Sequence, residues 1–464
     1  MRKLDNTSSL LHHMSESMPR RNMASLYVFD AAGAEHVPTT EVELADYVTA
    51  RISHHQIFDH VISPAPLGLG NAAWTADQHF DVRNHISWHE LSGSGSWTDL
   101  CRDFVRLAET PLPHGRPPWH ISAMRVAHGD SSIPTGAIGV ILRVEHAAMD
   151  GASLVAFART LFPDTSAAAV QVPVEAQTLT AARPSVAGAV RELPARAATA
   201  ARHARSAVSA ITKPKTSPAN KVTTALPPEE MAATEFTERV FDATTVSLED
   251  CQKIRQLVPG STINDVALSV VAGALRRYLQ TYAEVPDKPL LCAITVALQK
   301  HGHQRAAGST EHVGNDITGA LLPIGTHIAD PRERLRQIHQ TSSTTKQRLQ
   351  LGPQVHIENI IRAIPPGILA ALARRIPAKQ PIHATSVVNV PRGRNPMYFG
   401  DARAIRTHGL PLLNPRAPVA HHVTSLEDRL GIAFVADRSS LANPEAYRVA
   451  LIDSFNEHLS ASAT

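Results

Sequence analysis

Gly136-Ala137-Ile138-Gly139-Val140-Ile141-Leu142-Arg143-Val144-Glu145-His146-Ala147-Ala148-Met149-Asp150-Gly151 is the stretch on which the reading of this chain turns. Residues 136–145 form a β-rich run, and the segment then passes into a helix beginning near Gly151. His146 therefore falls at a strand end, where layered α/β folds place reactive groups. An imidazole with an ordinary pKa near 6.5 is mostly neutral at neutral pH and accepts a proton from a hydroxyl or thiol, which is the chemistry of a general base. Asp150, four residues on, is placed to cap the following helix or to pair with an arginine, and either role fixes the turn that carries His146. Gly151 permits a close or unusual backbone path.

The same alternation of helix and strand extends outward from this stretch. Upstream, Thr40-x-x-Glu43 has the form of a capping box opening a helix with Leu44, Val48 and Ile52 on one face; Thr98 caps another through Leu100, Phe104 and Leu107; and residues 121–128 read as a strand. Downstream, 263–279 reads as a helix and 290–298 as a strand. Asp330-Pro331 and Asn443-Pro444 each set a capping side chain before a proline at the first helical position, and 386–390 and 431–436 are short β-rich runs.

Between these halves the composition shifts. From about Asp164 to Ala225 the chain is rich in Ala, Pro, Ser and Arg, and Arg183 to Lys221 carries eight basic residues against the single acid Glu192. Val186, Val190, Leu193, Ala197, Ala201, Ala204, Val208 and Ile211 recur every three or four residues as a narrow stripe, interrupted at Pro194, with most arginines off it. Such a helix either crosses the protein's own surface or lies on an anionic lipid surface through Arg191, Arg196, Arg202 and Arg205. The expected organisation is an N-terminal lobe over 1–163, a connector over 164–225 and a C-terminal lobe over 226–464.

Composition narrows the function classes. With 464 residues, 43% hydrophobic and 19% charged, the chain is an ordinary globular one, long enough for two compact units. A formal charge of +3 is too small for a concentrated nucleic-acid face, and no partner nucleic acid is expected. No run approaches the roughly 18–20 apolar residues needed to span a bilayer, and the basic start lacks the apolar core of a signal peptide, so a cytoplasmic location is expected. Cys101, Cys251 and Cys292 are too few and too scattered for a disulfide framework. The histidine pairs and His301-Gly302-His303 lack the spacing of metal ligands, so neither metal nor cofactor is expected. Leu67-Gly68-Leu69-Gly70 and Ser92-Gly93-Ser94-Gly95 lack the Gly-Lys-Ser/Thr of a phosphate-binding loop.

The segment around His146 resembles the His-His-x-x-x-Asp-Gly signature of the superfamily of chloramphenicol acetyltransferase and peptide-synthetase condensation domains. Further stretches, in order, are similar to the wax ester synthase/diacylglycerol acyltransferase family. They are Pro111-Leu112-Pro113-His114-Gly115-Arg116-Pro117-Pro118-Trp119, Asn264-Asp265-Val266-Ala267-Leu268, Gly314-Asn315, Leu321-Leu322-Pro323-Ile324, Asp330-Pro331-Arg332-Glu333-Arg334-Leu335 and Val388-Asn389-Val390-Pro391.

The resemblance implies an α/β protein of two chloramphenicol-acetyltransferase-like lobes, each a mixed sheet with packed helices, joined by a helical connector and with a tunnel at the junction. It implies transfer of an acyl group from long-chain acyl-CoA, a co-substrate, to diacylglycerol or a fatty alcohol, with His146 as general base; peripheral contact with an anionic membrane or lipid droplet is an expectation from the basic connector. Asn389 is a candidate oxyanion donor; Asn264, Asp265, Trp119 and Glu145 are further candidates for substrate binding, with Asn264 and Asp265 also suited to holding the second lobe's helix and the tunnel wall. Two other readings stand beside it: an acyl-CoA- or lipid-binding relative without catalysis, and an acyltransferase for another hydroxyl.

Three positions depart from the family pattern: Glu145 replaces the first histidine, Pro118 replaces a leucine, and Arg392 follows Val-Pro. Adjacent side chains on a strand point to opposite faces, so Glu145 need not share the space of His146. A buried carboxylate requires a partner, and an arginine is expected.

Overall fold

The computed structural model describes residues 3–15, 22–55, 57–130, 132–166, 186–212, 238–297, 317–351, 363–375, 383–413 and 417–463. In the N-terminal part these form α1 (Asn6–Ser15), β1 (Asn22–Asp30), α2 (Glu41–Ile52), β2 (His60–Ser63), β3 (Ala73–Ala76), β4 (Ile86–Glu90), α3 (Trp97–Ala108), β5 (Trp119–Arg125), β6 (Ile138–Glu145) and α4 (Gly151–Leu161). The connector contributes α5 (Val186–Thr212). The C-terminal part begins with β7 (Arg239–Ser247), α6 (Leu248–Gln256), α7 (Ile263–Tyr282), β8 (Leu290–Ala297), β9 (Ile317–Ile324), α8 (Pro331–Leu351) and α9 (Pro366–Arg375). It closes with β10 (Thr385–Asn389), β11 (Tyr398–Phe399), β12 (Ala402–Leu410), β13 (Val419–Leu426), β14 (Arg429–Asp437) and α10 (Pro444–Ser462).

Helix starts follow local chemistry. Thr40 accepts from the Glu43 amide, and Asn443 caps α10 ahead of Pro444. Asp330 accepts from the Glu333 amide at the start of α8. The expected cap at Thr98 is corrected: Ser96 caps α3, because its partner in a reciprocal box is Asp99, three residues on. α5 runs through Pro194 without a break, and Val186 and Val190 at the start of its apolar stripe are 49% exposed, so that end of the stripe does not face a core.

The strands form two six-stranded mixed sheets, ordered β11-β12-β1-β6-β5-β4 and β7-β14-β13-β10-β8-β9, beside the hairpin β2-β3. β4 and β5 are parallel in the first sheet, and β8, β10 and β13 are parallel in the second. Strands β11 and β12 come from the C-terminal half yet complete the first sheet: β12 pairs with β1, Ala24 opposite Leu410 and Asp30 opposite Arg403. The expected lobe division at residue 226 is thus crossed by Tyr398–Phe399 and Ala402–Leu410.

Alternation along β1 explains why the lobes stay together. Tyr27 and Phe29 point into the N-terminal core with Trp119, Leu142 and Phe157. Ala24, Leu26 and Val28 point the other way, into a core shared with Phe104 of α3 and with Phe241, Ala420 and Val435 of the second sheet. α6, α7 and α10 cover the remaining face of that sheet. The indole of Trp97 donates to Asp242 Oδ1 across the junction at 2.7 Å.

Candidate active site at the junction of the two sheets

β6 ends at Glu145, opposite Asn22 of β1. The chain turns at once: the Ala148 amide bonds to the Glu145 carbonyl at 2.9 Å, leaving His146 half-buried on the turn while Ala147, Ala148 and Met149 are buried. Asp150 caps α4 by accepting from the Ser153 amide at 2.7 Å. Of the two roles open to Asp150, capping is the one observed; among the described residues no arginine pairs with it.

Gly151 faces the C-terminal half. A Cβ at this position would lie 3.1 Å from Val390 Cγ2, so the absence of a side chain lets α4 start against the end of β10. Asn389, the neighbour of Val390, donates from Nδ2 to Asn264 Oδ1 at a long 3.4 Å. Asp265 completes a reciprocal capping box with Thr262 and also receives Ser342 Oγ at 2.7 Å and pairs with His339 Nδ1 at 3.1 Å. Burial opposes its charge, but the bonds from Ser342, Thr262 and His339 outweigh burial and hold the carboxyl below its ordinary value. The turn of Asp150 and Gly151 thus meets the end of β10, and Asn389 of β10 reaches Asn264, whereas Asp265, next in the chain, is engaged by Thr262 and by His339 and Ser342 of α8.

Trp119 is placed differently. It sits opposite Val144, but its ring is fully buried, stacks on His85 at 4.8 Å between centroids and donates to the Phe58 carbonyl at 3.0 Å. The side chain is core and has no exposed surface to offer a substrate.

Glu145 has partners of another kind than the arginine expected. Its Oε1 pairs with His12 Nδ1 at 2.7 Å and accepts from Ser15 Oγ at 2.9 Å, both from α1. The carboxylate side chain is 15% exposed and His12 11%. Arg143, two residues back on the same strand face, bonds instead to the Thr110 carbonyl, and burial lowers its pKa to about 10. Nothing local in the sequence marks His12 or Ser15, which lie 133 and 130 residues away.

Two arginines join the halves: Arg159, which nothing in the sequence marks, and Arg392, which it marks only as a departure from the family pattern. Arg159 of α4 donates to the carbonyls of Arg392, Asn395 and Pro396, the first and last at 2.7 and 2.6 Å. Arg392 is 3% exposed and donates to Ser25 Oγ of β1 at 2.9 Å. The loop that leaves Asn389 is thereby pinned onto the N-terminal sheet. The junction also holds a cavity of about 700 Å3, bordered by β12, β13 and β14; His146 is not among its lining residues.

Residues 4–267 match the wax ester synthase/diacylglycerol acyltransferase catalytic domain, and residues 313–458 match the C-terminal domain of that family. The chain belongs to the wax ester synthase/diacylglycerol acyltransferase family. It is an acyltransferase of that type. A putative diacylglycerol O-acyltransferase of Mycobacterium tuberculosis is 24% identical over 462 residues, covering 96% of this chain and 94% of the relative. A probable diacylglycerol O-acyltransferase of the same species is 27% identical over 358 residues, 73% of each chain. Among solved structures, the wax ester synthase/diacylglycerol acyltransferase from Marinobacter aquaeolei VT8 superposes over the whole of both chains with a TM-score of 0.66 at 19% identity. A starter condensation domain of rhizomide synthetase superposes with a TM-score of 0.57 at 12% identity, covering 100% of this chain and 94% of that one. These likenesses bear out the fold of two sheet-rich lobes.

Proposed function

We propose that this acyltransferase moves the acyl group of long-chain acyl-CoA to the hydroxyl of a lipophilic alcohol, diacylglycerol or a fatty alcohol, with His146 as general base. His146 takes the hydroxyl proton while the oxygen attacks the thioester carbonyl; the tetrahedral intermediate collapses, the carbon–sulfur bond breaks, and the imidazolium returns the proton to the departing thiolate. A positioned base contributes about 10²–10⁴-fold to such a step. Asp150 and Gly151 hold the turn, and Asn389 stands as the candidate donor to the oxyanion.

The observation that supports this reading best is the apposition of the His146 turn to the C-terminal half, through the 3.1 Å approach available at Gly151 to Val390. A group at that seam meets substrates arriving between the two sheets. Glu145, drawn off to His12 and Ser15, leaves no buried unpaired charge beside the base, which disfavours the non-catalytic reading.

The test is free-thiol release from a long-chain acyl-CoA with diacylglycerol, hexadecanol or no acceptor. Acceptor-dependent release that falls at least a hundredfold in His146→Ala supports the proposal; binding of acyl-CoA without release in any mixture overturns it. For α5, Arg196 is engaged with Asn6 and Asn71 of the protein itself, at 2.9 and 2.6 Å, whereas Arg191, Arg202 and the stripe residues Val186 and Val190 are exposed. We assign peripheral lipid contact to that outer face; Arg205 lies where no side chain is described. Unchanged binding of Arg191→Glu/Arg202→Glu to anionic vesicles would refute it.

A further inference from the structure

The cavity between the lobes has an uneven charge balance. Its floor is formed by Thr407 of β12, Thr424 of β13 and Gly431 of β14, where a Cβ would meet His408 Cε1 at 3.0 Å. Each of its three wall carboxylates has a basic neighbour: Glu427 bonds Arg403, Glu249 pairs with Lys253 at 3.2 Å, and Asp428 lies 3.9 Å from Arg429. Two further guanidinium groups, Arg394 and Arg406, line the same wall and have no carboxylate within ion-pair distance among the described residues. Arg406 is instead held over the Trp97 ring, 4.9 Å from its centroid. Two arginines without an ion-pair partner thus border one half-open cavity, Arg406 with only the more distant Asp130 and Asp242 acting on it through space, and their guanidinium groups are donors suited to oxygens of a phosphate.

The cavity is also connected to the candidate site by the chain itself. Val390 abuts Gly151, and Arg394 follows four residues later, a separation of at most about 14 Å even for extended chain. Between them, Arg392 is fixed to Ser25 and its amide to the Ser425 carbonyl, so the loop is a braced link from one place to the other.

We propose that this cavity binds a phosphate-bearing anion through Arg394 and Arg406, and that the anion is the phosphorylated nucleotide end of the acyl-CoA. The identity of the carrier rests on the function proposed above; the anion site does not. An anion seated here leaves the thioester arm free to follow the 390–394 loop toward His146.

The experiment is calorimetric titration of the full chain with CoA, ADP and inorganic phosphate, for the wild type and for Arg394→Gln, Arg406→Gln and Thr245→Glu. Thr245 is an exposed position on the cavity wall, so its substitution adds a carboxylate without disturbing a core. Removal of one charge-assisted contact in the arginine variants, or the repulsive carboxylate added in Thr245→Glu, predicts CoA binding at least tenfold weaker in each variant, with ADP competing for the same site. In acyl transfer the KM for acyl-CoA rises by a similar factor while kcat is held. Unaltered CoA affinity in Arg394→Gln and Thr245→Glu overturns the proposal, and these two suffice should loss of the Arg406–Trp97 contact prevent folding. Binding of phosphate or ADP that CoA does not displace overturns the assignment to the carrier. Arginine-dependent CoA binding with no acyl transfer would refute the proposed function and leave this site standing. Transfer with unchanged KM in both variants does the reverse.

Discussion

Replacing Glu145 by alanine should free the end of α1 and leave the turn of His146 in place. The carboxylate makes two bonds to α1, at 2.7 Å to His12 and 2.9 Å to Ser15, in a pocket where the side chains of Glu145 and His12 are both largely buried. A hydrogen bond to a charged group contributes about 1.5–3 kcal/mol, and deleting one partner of a buried pair costs about 3–5 kcal/mol. Water reaching the partly exposed carboxylate reduces this, so about 3 kcal/mol is expected, or about a hundredfold in a local opening constant. The rest of α1 keeps its own ties: the Leu4 amide to the Ala72 carbonyl, Ser9 Oγ to the Ala72 amide, and Asn6 to the Ile364 carbonyl. The loss should therefore be confined to the turn His12–Ser15, and amide hydrogen exchange of that turn is the measurement. Global unfolding of a chain with two sheets need not be two-state and would blur the effect. Glu145→Gln, which keeps an acceptor for Ser15, should raise exchange only about tenfold. A double-mutant cycle of Glu145→Ala with His12→Ala should give a coupling of about 1.5–3 kcal/mol. Exchange within threefold of wild type in Glu145→Ala, or a coupling under about 0.5 kcal/mol, would refute the role of Glu145 as the anchor of α1.

Other positions have equally defined outcomes. Gly151→Ala forces a methyl against Val390 and should destabilise by about 1–3 kcal/mol; Val390→Ala should restore most of the loss in thermal melts, and failure of that rescue would sink the contact. Asp265 has a folded pKa below its ordinary value of 3.8, so its contribution is present above about pH 4 and is lost as acidification passes through the lower folded value. Asp265→Asn should remove about 2 kcal/mol at pH 7 and much less near pH 2, read by denaturant midpoints. Trp119→Phe strands the Phe58 carbonyl and should cost about 1–3 kcal/mol, with activity per folded molecule retained, since the ring is core. Acyl transfer abolished in a fully folded Trp119→Phe would contradict that placement.

What could be read from the sequence was local. The strand–turn–helix at 136–151, the cap at Thr40 and the Asp-Pro and Asn-Pro helix starts each rest on residues within four positions of one another. Ser96 was missed for Thr98 because both are capping residues two positions apart, and only the reciprocal bond with Asp99 separates them. The joining of β12 to β1, the docking of α1 on Glu145 and the reach of Arg159 to the 392–396 loop depend on pairings across 130 residues or more. No periodicity within a short window encodes such pairings. Two basic side chains, Arg159 and Arg392, look like surface charges in the sequence and act as ties between lobes because backbone carbonyls and Ser25 stand where their guanidinium groups end.

The three departures from the family pattern acquire a common explanation from these ties. Pro118 has no amide to donate, yet its position asks only for a carbonyl, which accepts the Glu145 amide at 2.9 Å. Arg392, which follows Val-Pro, is buried against β1 with a bond to Ser25, while its carbonyl serves Arg159. Glu145 gives up the histidine of the signature and takes His12 and Ser15 of α1. Each substitution carries its own partner, and in each the partner belongs to a different element from the substituted residue. A centre decaying without selection would tend to leave such buried polar groups stranded, at about 1–3 kcal/mol apiece, whereas of the groups of these three residues Arg392 Nε alone is buried without a partner among the described residues. The unusual residues thus brace the turn of His146 from α1, from the residue preceding β5 and from the loop after β10, and that bracing favours a working acyltransferase over a binding relic.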